Sequence, residues 1–211
     1  MKSMRGVRRG AVMRMLGGAV LAAALGLSAA RADAGLRVAS VFGHGMVLQR
    51  DKVVPVWGWA EPGAEVKVEF AGQAKTAKAG ADGLWMAQLD PMRASADGRA
   101  LKVSVRGASA SSGSAAFTNV VVGEVWVCSG QSNMAFPLSR ASNAKEAQAS
   151  AADPMLRLLR VVASPANDVV MGPTNGLQGS WAISESASAA TFPAVGWFFG
   201  RELRKALDVP V

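Results

Sequence analysis

Residues 120–134 read VVVGEVWVCSGQSNM, and this stretch predicts more about the fold than any other part of the sequence. Residues 120–127 form a nearly continuous apolar run, broken only by Gly123 and Glu124, which is typical of a strand buried on both faces of a parallel sheet. A polar turn that contains Gly130 follows directly. In open α/β sheets, ligands bind at the carboxyl ends of the strands. The stretch therefore predicts a functional turn at the end of a buried strand.

Downstream of the turn, the pattern alternates between helix and strand. A helix is predicted to begin at Asn143, where Glu146 three residues later makes a variant of the capping box. A strand is predicted over 156–162 and a stronger amphipathic helix over 192–207. Residues 208–211 resemble the beginning of another buried strand. This order predicts an α/β layer fold from about residue 119, with too few strands for a closed doubly wound sheet.

Upstream of the turn, residues 36–118 show the alternation of β-strands rather than helical periodicity. Val66, Val68 and Phe70, for example, alternate with charged residues, as in a strand with one face in water. Tight-turn signals separate such segments at 61–63, 72, 82–83 and 97–98. We therefore predict a small antiparallel β-sandwich, and a loop or linker of Ser, Ala and Gly over 108–116 at a domain boundary.

Three tryptophans lie in this β region, namely Trp57, Trp59 and Trp85. They supply bulk to a core that is otherwise made of valine and alanine. Alternating tryptophans in one strand favour one ring in the core and one that shields an edge. The alternative is a sugar-binding platform on the surface of the sheet.

The charge of the chain is concentrated at its beginning. The 211 residues hold 23 basic and 15 acidic residues, a formal net charge of +8, and residues 1–32 hold six of the basic residues and no acidic one. The remainder is nearly neutral, which removes the main support for a nucleic-acid partner. Residues 1–32 have the basic start, apolar stretch and small final residues of a secretory signal peptide, with cleavage after Ala32 or, second, after Ala34. The alternative is a membrane anchor, because about 20 apolar residues can span a bilayer.

Removal of this leader predicts a secreted or periplasmic protein with no stable insertion in the membrane. The single cysteine, Cys128, cannot form an internal disulfide. We therefore expect stability to come from packing, and Cys128 to be a small buried apolar residue rather than a reactive thiol.

The turn also carries a resemblance to a known family. Residues 123–134 resemble the first motif of the sialate O-acetylesterase family, a branch of the SGNH hydrolases. Flanking segments that are similar to the family are 44–52, 55–60, 198–203 and 209–211. The resemblance implies a serine esterase that releases acetate from O-acetylated sugars, with a flavodoxin-like α/β/α catalytic domain that starts at residue 119 behind a β domain over 33–118. It also implies that neither a metal nor an organic cofactor is needed.

Within this resemblance, Ser132 matches the family's nucleophile, and its backbone N–H is expected to be one oxyanion donor. Gly130 lets the turn close without a Cβ clash. Gln131 and Asn133 either contact the substrate or brace the turn. The turn is not the nucleophile elbow of the α/β-hydrolases, because Met134 stands where a second glycine would be. Without the resemblance, an ordinary polar turn whose side chains bond their own backbone explains these residues as well.

Two further residues outside the turn, Glu124 and His44, are assigned structural roles. Glu124 lies within an apolar run, so it needs a partner if it is buried, and we predict an ion pair. His44, the single histidine, lies in the β region, where the resemblance assigns no catalysis, and we predict a turn or packing role for it.

The departure from the family is large. The family's remaining site residues are a glycine, an asparagine, an aspartate and a histidine, and none has a counterpart here; neither Asp153 nor Asp168 matches the aspartate. We therefore expect the 211-residue chain to be truncated, inactive alone and poorly folded after residue 119. The alternative is a genuine short product, a non-catalytic β module that at most binds glycan. The sequence leaves open which acetylated sugar is used and which oligomeric state the protein has.

Overall fold

The computed structural model describes residues 35–106, 112–161 and 179–211. The predicted signal peptide, residues 1–32, lies outside the described residues, as does Asp168. No helix in the described ranges is long and apolar enough to cross a membrane.

The β region folds into two sheets that face each other across one core. The strands of the first sheet, in spatial order, are β1 (Arg37–Val38), β3 (Val54–Trp59) and β6 (Leu84–Leu89). Those of the second are β2 (Val47–Gln49), β8 (Ser112–Gly123), β7 (Ser95–Arg106), β4 (Glu65–Phe70) and β5 (Gln73–Lys78). Neighbouring strands are antiparallel, except that β2 runs parallel to β8. The alternation of β4 explains the arrangement, because Val66, Val68 and Phe70 are buried in the core while Glu65 and Lys67 are exposed.

The predicted turns at 61–63, 72 and 82–83 are confirmed, each with a glycine at positive φ. The turn predicted at 97–98 is wrong, because both residues lie inside β7, where the register against β8 shifts between Ser95 and Arg99. A Cβ atom on Gly98 would lie 2.5 Å from Asn119 Oδ1. The glycine therefore permits close approach of β8 at an irregularity of the strand.

The three tryptophans of the sandwich lie in two different positions. Trp85 of β6 lies in the core, whereas Trp57 and Trp59 lie on the face of β3 opposite to Val54 and Val56. Trp85 is 1% exposed, as predicted for a core residue. Trp57 and Trp59 are half-buried and pack against the same core cluster. Trp57 also meets Phe42 edge to face, with 4.8 Å between ring centroids. The guanidinium carbon of Arg37 lies over the Trp59 ring, 5.4 Å from its centroid. The described contacts of both rings are therefore packing contacts, and the sugar-binding platform stays an untested alternative.

Residues 120–127 do not form the continuous strand that their composition predicts. Val120 to Gly123 are the end of β8, a strand of the sandwich that begins at Ser112 and so also includes part of the predicted linker. The run divides at Gly123, where a Cβ atom would overlap the carbonyl oxygen of Pro210. Beyond this point Val125 and Val127 are 39% and 89% exposed and lie outside the named strands. The prediction was wrong because the composition of an apolar run does not show which of its residues will pair with a neighbouring strand.

The C-terminal part adds helices and a second, small sheet. Its elements are a 3-10 turn (Leu138–Arg140), α1 (Ala144–Ala149), β9 (Asp153–Leu159), β10 (Trp181–Ser184), α2 (Ser186–Thr191) and α3 (Ala194–Leu207). The predicted helices at 143 and 192–207 are confirmed, although Asn143 makes no side-chain cap bond. The predicted strand over 156–162 begins earlier, at Asp153, and pairs antiparallel with β10.

The last residues, which were predicted to begin another strand, hydrogen-bond to β9 but lie outside the named strands. The Val211 N–H donates to Met155 O at 2.9 Å, and the Arg157 N–H donates to Val211 O at 2.8 Å. This alternation is the hydrogen-bond pattern of a parallel pair. The Glu124 N–H donates to Pro210 O at 2.8 Å, so residues 210 and 211 join β9 to the exit of β8. The fold is therefore mixed and rich in sheet, as predicted.

A second apolar cluster forms beyond β8. It contains Leu138, Ala147, Ala151, Leu156, Leu158, Ala189, Ala194, Trp197 and Val211. The Trp197 Nε1–H donates to Ser184 Oγ at 3.0 Å, and Ser184 Oγ donates to Ala151 O at 2.7 Å. The described residues after 119 thus have a packed core, contrary to the expectation of a poorly folded region.

Arg157 joins this second cluster to the sandwich. Its buried guanidinium donates to Gly45 O at 3.0 Å, to Asn119 Oδ1 at 3.3 Å and to Pro154 O at 2.7 Å. Burial lowers the pKa of the Arg157 guanidinium, and the charge of Asp153 opposes this effect. The described residues belong to one compact unit, 32–211. The predicted boundary at 118 and 119 falls inside β8 and stays a prediction.

Candidate functional site

The four predicted site residues, Gly130, Gln131, Ser132 and Asn133, lie together in one exposed loop. The loop closes as a short helical turn, because the Met134 N–H donates to Gln131 O at 3.0 Å and the Ala135 N–H donates to Ser132 O at 3.2 Å. These bonds use N–H groups that follow Ser132. Its own N–H is therefore not consumed by the turn, as at the beginning of any helix.

Gly130 is required by the packing of this turn. Its φ is +155°, and a Cβ atom built on it would lie 2.5 Å from Met134 Cγ and 3.0 Å from Met134 Cβ. A side chain here would have to displace Met134, so the glycine lets the turn fold back on itself.

The exposure of Cys128 contradicts the sequence prediction, which placed this residue in the core. Its Sγ atom lies beside α3, 3.5 Å from where a Cβ on Gly196 would be. Segment 125–128 has one face on α3, where Trp126 meets Phe199 edge to face with 5.3 Å between ring centroids. Cys128 is therefore exposed as a residue, while its Sγ atom lies against α3 at Gly196.

Glu124 forms the predicted ion pair, and its partner is Arg50. Arg50 Nε donates to Glu124 Oε1 at 2.6 Å, with side chains that are 28% and 18% exposed. The hydrogen bond from Arg50 is the main reason why the pKa of Glu124 is lowered from its ordinary value of 4.5, and partial burial opposes it. The predicted structural role of Glu124 is therefore confirmed.

A second residue at the end of β2, Gln49, was missed by the sequence analysis. The Val125 N–H donates to Gln49 Oε1 at 2.9 Å, and Gln49 Nε2 donates to Glu124 Oε2 at 3.5 Å. The signal was weak, since Gln49 and Val125 are 76 residues apart in the chain. The parallel pairing of β2 with β8 brings them together.

His44 lies in the sandwich, where we predicted a turn or packing role. The Thr118 N–H donates to His44 Nδ1 at 3.1 Å, and Thr118 Oγ1 lies 2.9 Å from the same nitrogen. The ring also meets Phe117 edge to face. These contacts confirm the structural role. Asp153, the other residue considered, accepts a hydrogen bond from the Met155 N–H at 2.8 Å and pairs with Arg204 at 3.6 Å.

Two shallow depressions of the described surface lie away from the loop. One, of about 280 Å³, is lined by residues 69–74 with Ala100 and Lys102, and the other, of about 380 Å³, by residues 139 and 141–146. Neither includes residues 128–134. No group of three potential ligating side chains that could hold a metal ion is found among the described residues. The loop as described is thus an open turn.

Comparison with known proteins defines the class to which this arrangement belongs. A carbohydrate acetylesterase from Xanthomonas citri superposes on 83% of the chain with a TM-score of 0.72 and 36% identity, and the chain covers 38% of that protein. The chain is therefore similar in both fold and sequence to a carbohydrate acetylesterase. No protein-family model matches the chain.

The sequence relatives narrow this class. Sialate O-acetylesterases from Pongo abelii and Homo sapiens are each 34% identical to the chain over 85% of its length. The resemblance to the sialate O-acetylesterase family is therefore confirmed. The chain spans about a third of the length of these relatives, 36% in both cases.

Proposed function

We propose that the chain carries the nucleophile of a secreted serine esterase that removes O-acetyl groups from carbohydrates, and that Ser132 is this nucleophile. The observation that carries the proposal is the similarity to a carbohydrate acetylesterase and to sialate O-acetylesterases along more than four fifths of the chain. Ser132 is exposed in a turn that leaves its N–H free of turn bonds. Both features suit an attacking serine.

The proposed reaction is acyl transfer. Ser132 Oγ attacks the acetyl carbonyl carbon, a base takes the hydroxyl proton, and the Ser132 N–H stabilises the negative oxygen. The bond to the sugar oxygen then breaks, the sugar leaves with a proton, and water releases acetate from the acetylated serine. Gly130 keeps the turn tight, while Gln131 and Asn133 contact the substrate or brace the turn.

The base is not assigned to a described residue. His44 is engaged by Thr118, and Asp153 pairs with Arg204. We therefore propose that the 211 residues do not turn over an ester alone and that the flavodoxin-like SGNH fold supplies the base in a complete hydrolase domain. The activity of the whole protein, its acetylated sugar and its secreted or periplasmic location are parts of this proposal.

The test uses the chain alone and a chimaera in which residues 35–211 replace the matching segment of the Xanthomonas citri carbohydrate acetylesterase. We expect the chimaera to hydrolyse an aryl acetate and an acetylated sugar. Ser132→Ala should remove at least about 1000-fold of this activity, the scale found when a catalytic serine is deleted.

The matched control is Ser129→Ala, which changes an exposed serine three residues earlier in the same loop. We expect it to retain the activity of the chimaera. Activity that survives Ser132→Ala would refute the proposed nucleophile. Ser132-dependent turnover by the 211 residues alone would refute their proposed inactivity and leave the nucleophile in place.

A further inference from the structure

The end of β2 and the exit of β8 lie side by side. The two strands are parallel and end in register, with Gln49 opposite Gly123. The Arg50 N–H donates to Gly123 O at 2.7 Å, which continues the pairing by one residue. Parallel neighbouring strands leave a sheet in the same direction. The side chains that follow β2 can therefore reach the residues that follow β8.

Three side chains use this proximity, and we name Gln49, Arg50 and Glu124 the Glu124 clamp. The bond from Arg50 Nε to Glu124 Oε1 is short, 2.6 Å, as expected for a charge-assisted hydrogen bond. Gln49 bonds in both directions, because its Oε1 accepts from the Val125 N–H at 2.9 Å and its Nε2 donates to Glu124 Oε2 at 3.5 Å. The backbone of Val125 and the side chain of Glu124 are therefore both hydrogen-bonded to residues at the end of β2.

The segment beyond the clamp has few other attachments. Residues 125–133 are exposed and lie outside the named strands and helices. The described contacts of this segment with the rest of the fold are the Trp126 ring on Phe199 and Cys128 beside Gly196. Ser132 follows Glu124 by eight residues. The clamp is thus one of two fixed points of the segment, and it sets the direction in which the chain leaves the sandwich. The other follows Ser132, where the Ala194 N–H donates to Phe136 O at 2.8 Å.

We propose that Gln49, Arg50 and Glu124 are positioning residues for Ser132, so that the β-sandwich fixes the origin and direction of the segment that carries the nucleophile. The inference rests on the proposed function. It assigns the sandwich a part in catalysis that does not depend on glycan binding. None of the three residues touches the substrate, and they act only through the path of the backbone.

A role in positioning has a defined kinetic consequence. Displacing a reacting atom by about 1 Å can lower the rate about 100-fold, even when the changed residue is remote. In the chimaera we expect Arg50→Ala and Glu124→Gln to lower kcat roughly 10–100-fold. KM should stay within about twofold of its original value, because substrate contacts are unchanged.

The direct test uses the 211-residue chain and needs no enzymatic activity. Cys128 lies between Glu124 and Ser132, so the rate at which iodoacetamide alkylates it reports on the segment. Release of the clamp should free Cys128 from Gly196 and accelerate alkylation roughly tenfold in Arg50→Ala and Glu124→Gln. Arg50→Lys should restore part of the original rate, since it keeps the charge but loses the planar donor group.

The matched control is Glu69→Gln, which breaks the ion pair of Lys67 Nζ with Glu69 Oε1 at 2.8 Å on the same sheet. We expect it to leave both alkylation and kcat unchanged. Thermal unfolding of each variant separates a local effect from general loss of structure.

The clamp proposal is overturned if the alkylation rates of Arg50→Ala and Glu124→Gln equal that of the unchanged chain, or if Glu69→Gln changes them equally. It is also overturned if kcat in the chimaera is unaffected. Activity that persists in Ser132→Ala would instead refute the proposed function. The alkylation rates would then still show whether the clamp holds the segment.

Discussion

Replacement of Trp197 by phenylalanine tests whether the C-terminal part of the chain has a packed core. The Trp197 side chain is 0% exposed in the second cluster, and its Nε1–H donates to Ser184 Oγ at 3.0 Å. Loss of a buried hydrogen bond lowers the free energy of unfolding by about 1 kcal/mol. The smaller ring leaves a cavity of roughly 40 Å³, which at about 24 cal/mol per Å³ adds about 1 kcal/mol. We therefore expect Trp197→Phe to destabilise the chain by about 2 kcal/mol.

The assay is urea unfolding followed by circular dichroism and by tryptophan fluorescence. Trp126→Phe is the matched control, because it makes the same change at a ring that is 57% exposed. Its effect should stay within about 0.5 kcal/mol. A Trp197→Phe chain as stable as the control would refute the packed cluster and restore the expectation that the chain is poorly folded after residue 119. Two separate unfolding transitions, with only the first shifted, would show that the cluster unfolds independently of the sandwich.

Two further predictions concern the sandwich and its junction with the loop. A Cβ atom on Gly58 would overlap Arg37 O and lie 2.8 Å from Trp85 Cζ2, so we expect Gly58→Ala to destabilise the chain by about 2–3 kcal/mol. Gly35→Ala, with nothing within 4 Å, should be neutral in the same urea experiment, and equal effects would contradict the overlap. The second prediction follows from the lowered pKa of Glu124. The carboxylate of Glu124 binds a proton less tightly in the folded state than in the unfolded state. The Arg50 bond therefore stabilises the fold at pH values above the ordinary pKa of 4.5. This contribution is lost as the pH falls through the lower, folded-state pKa. The stability difference between the unchanged chain and Glu124→Gln should therefore shrink as the pH falls below 4.5; a constant difference would show that the pKa of Glu124 is not lowered by folding.

Local patterns predicted most of the individual elements. The alternation of β4 reflects one face turned to a core, and both β4 and α3 lie where the patterns placed them. The apolar stripe that predicted α3 is not its buried face, because Val195, Phe199 and Leu207 are exposed while Trp197 is buried. The turn at 97–98 was predicted wrongly because Asp-Gly also suits an irregular strand. Gly98 is needed there for the approach of Asn119, a contact that the neighbouring residues do not encode.

The candidate site was predicted as a set of consecutive residues, because the hydrogen bonds that form its turn join residues close together in the sequence. Its attachment was not predictable in this way. Arg50 and Glu124 are 74 residues apart, and a charged residue in an apolar run indicates only that some partner is needed. The parallel register of β2 and β8 decides which partner it is.

The sequence by itself determined the β-sandwich elements, the final helix, the turn that contains Ser132 and the relation to the acetylesterases. Periodicity and short motifs are local properties, and they survive in the order of the residues. Only the tertiary structure decided that residues 120–123 complete the sandwich while 125–128 lie exposed on α3. Both halves of the run are equally apolar, so hydrophobicity could not distinguish them. The backbone hydrogen bonds that β2, β7 and Pro210 offer at each position made the distinction.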